Sequence, residues 1–224
     1  MHRKQAFLPT EPHKERCAGS SEPQRIQEVL FAIAGANEQW LPVLRQRAFR
    51  EDSTFPLPSV VRRRLIEMTD GQLREVAQCG ILLAEARFLD VEHWRSIAHR
   101  GPVQPNSHDE DKVAGKHAVS VAYSLFAVVW YVVQTAPSAA GVLMGMSADV
   151  VEEFKSLRVG QLARVARCYA SCIQPRWRDR ADVWMGVLQP QGPEEGRRRS
   201  VILQCLKAAS ERSPGLLPFI AVRP

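Results

Sequence analysis

The residues of this sequence whose type and spacing best suit chemistry are arginines in its last third. A segment with helical periodicity places Leu162, Val165 and Ala166 on one side and Arg164 and Arg167 on the opposite side. A guanidinium group is planar and always charged, and it matches the geometry of a phosphate group or a guanine edge. The spacing therefore predicts a contact with duplex DNA, made by Arg158, Arg164, Arg167, Arg176, Arg178 and Arg180.

The net charge of +6 comes entirely from the end of the chain that carries these arginines. Residues 1–150 contain 17 basic and 17 acidic residues, whereas residues 151–224 contain 13 and 7. A GC-rich genome would also raise the arginine content, but it would not place the excess at one end. Two interpretations of the arginine face follow, a DNA contact or a solvated face with no partner. The arginine runs at 62–64 and 197–199 have the same two interpretations.

The sequence contains no recognised catalytic or metal-binding motif. Cys168 and Cys172 would supply half of a metal site, but no second pair follows at zinc-finger spacing, so small buried cysteines are the preferred interpretation. The acidic cluster at 108–111 is expected to be solvated. The hydrolase, metalloprotease, phosphate-loop and dinucleotide motifs do not occur. We therefore expect a protein that is not an enzyme, with no cofactor, metal or small-molecule substrate.

One apolar run, residues 118–133, is a candidate membrane span by composition. A membrane span needs roughly 20 such residues, and this run contains Ser120 and Ser124 and is followed closely by Pro137. We expect a buried core helix or an oligomer helix and no membrane partner. Because the run is apolar nearly all round, it predicts a homo-oligomer or partner contact, made by Tyr123, Phe126, Trp130 and Tyr131.

Turn residues and helical stripes divide the chain into five parts. Residues 1–23 are a predicted flexible leader, 24–100 and 116–210 are helical units, 101–115 is a polar Pro/Gly-bearing linker, and 211–224 is a tail. Strand signals are sparse, so the predicted fold class is all-α. An odd number of irregularly spaced cysteines and an N-terminus without an apolar signal segment predict a cytoplasmic location.

The start signals of several helices are specific. Pro23 predicts a first helical turn, and a second helix is expected to begin over 57–64. Thr69 and Gln72 match a capping box, in which each side chain bonds the other residue's backbone N–H. Two long apolar helices, over 26–41 and 118–134, are expected to cross at the centre of a pseudo-twofold pair.

Two segments on either side of the linker resemble each other at a spacing of 89 residues. Residues 71–88 and 160–177 share seven identical pairs in eighteen positions, among them Leu73 with Leu162, Cys79 with Cys168 and Arg87 with Arg176. Upstream, LFAI at 30–33 and LFAV at 125–128 begin each half. The matches predict two copies of one helical unit.

The repeated unit resembles the FlhD family, the D subunit of the bacterial flagellar master transcription regulator. The resemblance rests on YSLF at 123–126, MGMS at 144–147 and LRVGQ at 157–161, with MTDGQ at 68–72 in the first copy. It implies a tandem FlhD-like protein with helix-turn-helix-like segments, acting with an FlhC-like partner on promoter DNA. Arg158 departs from the family, because a threonine caps this turn there.

Two functions from different classes follow. The first is a DNA-binding transcriptional regulator or co-activator subunit. The second is a protein-only adaptor or anti-activator, which would hold another regulator without contacting DNA. The basic face around Arg164 and Arg167 separates them, because only the regulator needs it; the first copy has Glu75 and Gln78 at the matching positions.

Overall fold

The computed structural model describes residues 22–50, 57–101 and 116–189. The predicted tail, nearly all of the predicted leader and linker, and the arginine run at 197–199 lie outside the described residues. The same holds for the acidic cluster at 108–111.

Helices account for most of the described chain, which confirms the all-α prediction. In chain order they are α1 (Glu22–Phe49), α2 (Ser59–Glu67), α3 (Asp70–Ala77), α4 (Val91–Arg100), α5 (Lys116–Thr135), α6 (Pro137–Met144), α7 (Ala148–Ser156), α8 (Val159–Tyr169) and α9 (Ala181–Leu188). Two very short strands, β1 (Ala84–Glu85) and β2 (Gln174–Pro175), pair antiparallel, with Ala84 opposite Pro175 and Glu85 opposite Gln174.

The helix-start predictions that fall on described residues are confirmed. Helix α1 begins one residue before Pro23, and α2 begins at Ser59. Thr69 is the N-cap of α3: its hydroxyl accepts from the Gln72 N–H at 3.3 Å, and the Gln72 side chain accepts from the Thr69 N–H at 2.9 Å. This reciprocal pair satisfies two backbone donors that the first turn of a helix leaves open.

The core forms where α5 packs against α1, α6, α7 and α8. Asn37 is a completely buried polar residue of α1, and its amide is hydrogen-bonded on both sides. Its nitrogen donates to the carbonyl of Ile81 at 2.7 Å, and its oxygen accepts from the Leu83 N–H at 3.0 Å. Because a buried amide without partners is costly, these bonds fix α1 against the segment that follows α3.

The two sides of the predicted linker are interlocked rather than separate. Helix α4 packs on α7, and α9 packs on α2. The indole of Trp94, on α4, contacts the rings of Phe126 and Phe154 at centroid distances of 5.8 and 4.2 Å. The backbones also join, since the Leu82 N–H donates to the Leu143 carbonyl at 2.8 Å. Each side therefore completes its core with a helix from the other.

Within the described residues, α5 is long and apolar enough to cross a membrane by length and composition. Length and composition alone are weak evidence for a membrane span, because core helices of soluble proteins pass the same test. One side of α5 is buried against its neighbouring helices, with Leu125 and Val129 fully enclosed.

Candidate nucleic-acid interface

Helix α8 places its charged residues on the side that faces away from the core. Leu162, Val165 and Ala166 are fully buried, whereas Arg164 and Arg167 are exposed, as the periodicity predicted. The apolar stripe holds the helix against α5. The two guanidinium groups therefore stand on a rigid element.

The N-terminus of α8 is held by only half of a capping box. The Arg158 N–H donates to the Gln161 side-chain oxygen at 2.7 Å. A guanidinium has no acceptor atom, so the Arg158 side chain cannot return the bond as Thr69 does in α3. The Arg158 side chain is exposed at the same end of the helix.

The carboxylates closest in sequence to this surface are already paired. Glu152 accepts from Lys155 at 2.7 Å, and Glu153 accepts from Arg95 of α4 at 2.9 Å. Within the described residues, no carboxylate forms an ion pair with Arg164 or Arg167. No carboxylate of the described chain therefore neutralises their charge.

Arg178 and Arg180 lie in the turn before α9 and differ in how firmly they are held. Arg178 is exposed and donates to the Gln174 side-chain oxygen at 2.8 Å. Arg180 makes two bonds to the Asp182 carboxylate, at 2.9 and 2.7 Å, and this pairing lowers the pKa of Asp182 to about 2. A phosphate would therefore have to compete with Asp182 for Arg180.

The prediction that Arg176 contacts DNA is wrong, because its side chain is buried. The guanidinium donates to the Leu143 carbonyl at 3.1 Å and lies over the Trp177 ring at 4.2 Å. It also occupies the space above Gly145, where an added Cβ would lie 2.5 Å from it. Gly145 has a φ of +71°, so the turn and the close approach both require glycine. Arg176 is a structural residue.

Helix α3 precedes β1 in the chain, as α8 precedes β2. The exposed side of α3 differs from the exposed side of α8. Leu73, Val76 and Ala77 form its buried stripe. Glu75 is exposed, and Gln78, the C-cap residue, donates from its side chain to the Glu38 carboxylate at 3.1 Å. The outward surface of α3 thus carries carboxylate and amide groups where α8 carries guanidinium groups.

The predicted partner surface on α5 is largely internal. Phe126 is fully buried against Trp94, so its predicted partner contact is wrong. Trp130 and Tyr131 are half-buried, and the Trp130 indole donates to the Leu157 carbonyl at 2.8 Å. Tyr123 is the member of this set that reaches the surface, with 42% of its area exposed.

Sequence reasoning missed an exposed aromatic residue on α1. Phe31 has 81% of its area exposed, and Ile26, further toward the helix start, has 45% exposed. The signal was present in the pattern, because Phe31 falls outside the buried stripe that includes Ile33, Ala34 and Asn37. With Phe49 and Tyr123, these residues are the large exposed apolar side chains of the two long helices.

Cys168 and Cys172 lie near the end of α8 and in the short turn that follows it. Among the described residues, no group of three or more His, Cys, Asp or Glu side chains could hold a metal ion. Burial raises the pKa of the Cys168 thiol, although Arg164 and Arg167 oppose the shift.

Comparison of the chain with protein-family models, with curated proteins and with solved structures finds no match. Its function must therefore be inferred from its own residues.

Proposed function

We propose that this chain is a cytoplasmic DNA-binding subunit of a transcriptional regulator, built from two copies of an FlhD-like helical unit. Helix α8 of the second copy contacts duplex DNA through Arg158, Arg164 and Arg167, with Arg178 at the edge of the contact. An FlhC-like subunit is the expected protein partner.

The correspondence of elements supports the two-unit architecture. Helices α2 and α3 begin 89 residues before α7 and α8, and each second helix begins after an extended N-cap residue, Thr69 or Arg158. Helix α9 begins 90 residues after α4. The buried indoles also correspond, because Trp94 donates to the Arg87 carbonyl and Trp184 donates to the Arg176 carbonyl.

The long helices support the same architecture in a register that differs from the expected one. Buried residues of α1 and α5 correspond at a spacing of 92, from Val29 with Val121 to Leu41 with Val133. Phe31 and Phe126, which the LFAI and LFAV segments would match, differ because one is exposed and the other buried. In the 92-residue register Phe31 corresponds to Tyr123, and both are exposed.

One observation carries the DNA-binding proposal. Two arginines stand on the outward side of a rigid helix, and within the described residues no carboxylate pairs with them. An unpaired guanidinium can bond a phosphate without first giving up an ion pair, and its planar fork makes two hydrogen bonds from one orientation. The turn-linked pair α7 and α8 also has the order of a helix-turn-helix, in which the second helix enters the major groove.

Titration of the full chain with a fluorescent duplex at low and then rising salt tests the proposal. We expect weak binding by the chain alone, with an affinity that falls steeply as salt rises, because phosphate contacts release condensed counterions. A chain that fails to bind duplex DNA at low salt would contradict the proposal.

A protein-only adaptor is the second candidate function, and the exposed aromatics favour it. Phe31 and Tyr123 present apolar rings on the two long helices, where a partner protein would gain by covering them. The adaptor does not need the arginine face of α8. Replacing Phe31 and Tyr123 together by serine would abolish its partner binding while leaving any DNA binding unchanged.

A further inference from the structure

We infer that the DNA target of this chain is non-palindromic, because only one of its two helix pairs can read bases. The inference rests on the proposed DNA-binding function and on the proposed two-unit architecture. The proposed function states that the chain binds duplex DNA, and this inference adds that the target is a single half-site.

The two candidate recognition helices carry opposite charge. Helix α8 has two arginines and no carboxylate, whereas α3 has Asp70 and Glu75 with one arginine, Arg74. Asp70 is mostly exposed even though it pairs with Arg45 at 2.6 Å. Helix α3 has no guanidinium group at the positions that Arg164 and Arg167 take in α8, so it lacks the phosphate contacts that would hold it in a groove.

The first helix of each pair has the reverse charge. Helix α2 carries three arginines and one glutamate, and α7 carries three carboxylates and one lysine. The first helix of a helix-turn-helix crosses the DNA backbone and does not read base edges. The α2 arginines can therefore add phosphate contacts without adding a second half-site.

A symmetric pair of recognition helices selects an inverted repeat, because each half-site is read by one copy of the same surface. In this chain the buried stripes of α3 and α8 match, with Leu73 and Val76 corresponding to Leu162 and Val165. The outward residues do not match, since Glu75 and Gln78 occupy the positions of Arg164 and Arg167. The buried sides of α3 and α8 therefore match, whereas only α8 carries outward arginines that could contact bases.

Selection of bound duplexes from a random-sequence library, with the full chain as bait, tests the inference. We expect enrichment of one motif without an inverted repeat. The variant Glu75→Arg/Gln78→Arg places arginines on α3, and we expect it to enrich a two-part motif. The matched control Glu75→Ala/Gln78→Ala should retain the wild-type motif and an affinity within about twofold of wild type.

Enrichment of an inverted repeat by the wild-type chain would overturn the inference and leave the proposed function standing. An equal loss of binding in Glu75→Ala/Gln78→Ala and in Arg164→Glu/Arg167→Gln would do the same, because both helices would then contact DNA. Absence of any enriched motif, together with absence of binding at low salt, would overturn the proposed function and this inference with it.

Discussion

Helices α2 and α3 and helices α7 and α8 form two turn-linked pairs that share a backbone design and differ in charge. In both pairs the second helix begins after an extended N-cap residue and buries a leucine, a valine and an alanine. Most of the basic residues lie on the first helix of one pair and on the second helix of the other. Packing thus constrains the inner face, and the outer face is free to differ.

The substitutions with the largest expected effect on stability test whether α4 and α9, the helices that follow the two pairs, occupy equivalent places in the fold. Trp94 and Trp184 are both fully buried, and each indole donates to a backbone carbonyl. Substitution of either residue by alanine should lower the free energy of unfolding by about 3–5 kcal/mol, because each leaves a large cavity. Chemical denaturation measures the free energy of unfolding of both variants. A cost confined to Trp94 would show that the two helices α4 and α9 are not equivalent.

Arg176 sharpens the comparison, because it is buried whereas Arg87, its counterpart 89 residues earlier, is exposed. Arg176→Ala leaves the Leu143 carbonyl without this donor and empties the space above Gly145. We expect a loss of roughly 2–3 kcal/mol in the free energy of unfolding. The salt dependence of DNA binding should stay at its wild-type value, and a reduced dependence would restore Arg176 as a DNA contact.

The N-caps of α3 and α8 should respond to substitution in opposite directions. Thr69→Ala removes a formed cap and should cost about 1 kcal/mol. Arg158→Thr supplies an acceptor that the arginine lacks, and should stabilise the protein by up to about 1 kcal/mol. Thermal unfolding of both variants gives the sign. Destabilisation by Arg158→Thr would mean that the arginine makes a stabilising contact of its own.

A smaller effect concerns His93, whose ring contacts Tyr169 at the end of α8 with a centroid distance of 4.8 Å. Burial lowers its pKa below the ordinary value of 6.5, Arg87 lowers it further, and Asp90 opposes the shift. Above pH 6.5 the imidazole is neutral in both states and contributes nothing. As the pH falls through 6.5 the unfolded chain binds protons first, so stability declines until the folded pKa is passed.

The difference between wild type and His93→Gln isolates this contribution. Both proteins are unfolded with denaturant at a series of pH values on either side of 6.5. We expect the wild type to lose more stability than the variant on the acid side. Parallel pH profiles for the two proteins would contradict the assignment.

The starts of α1, α2 and α3 and the outward position of Arg164 could be predicted because they depend on local spacing. Thr69 with Gln72, and Leu162 with Val165, lie within one turn of each other, so a short stretch of sequence contains the whole signal. The all-α class follows from the same periodicities.

The burial of Arg176 could not be predicted, because it depends on distant residues. Its neighbours Arg178 and Arg180 have the same residue type, and its carbonyl partner and its glycine lie more than thirty positions earlier in the chain. Phe126 was misplaced for a similar reason. An all-round apolar helix indicates that some side is covered, but only the tertiary packing of α4 shows that Trp94 covers that residue.

The dependence of DNA affinity on salt, compared between wild type and Arg164→Glu/Arg167→Gln, tests the central claim most directly. The variant gives α8 the outward residues of α3, and Glu75→Ala/Gln78→Ala is the matched control on α3. We expect the log–log slope to fall by about two in the α8 variant, with about 0.9 lost for each phosphate contact, and to stay unchanged in the control. Both variants should unfold at the wild-type denaturant midpoint. Wild-type affinity and slope in the α8 variant would contradict the claim that this face binds DNA.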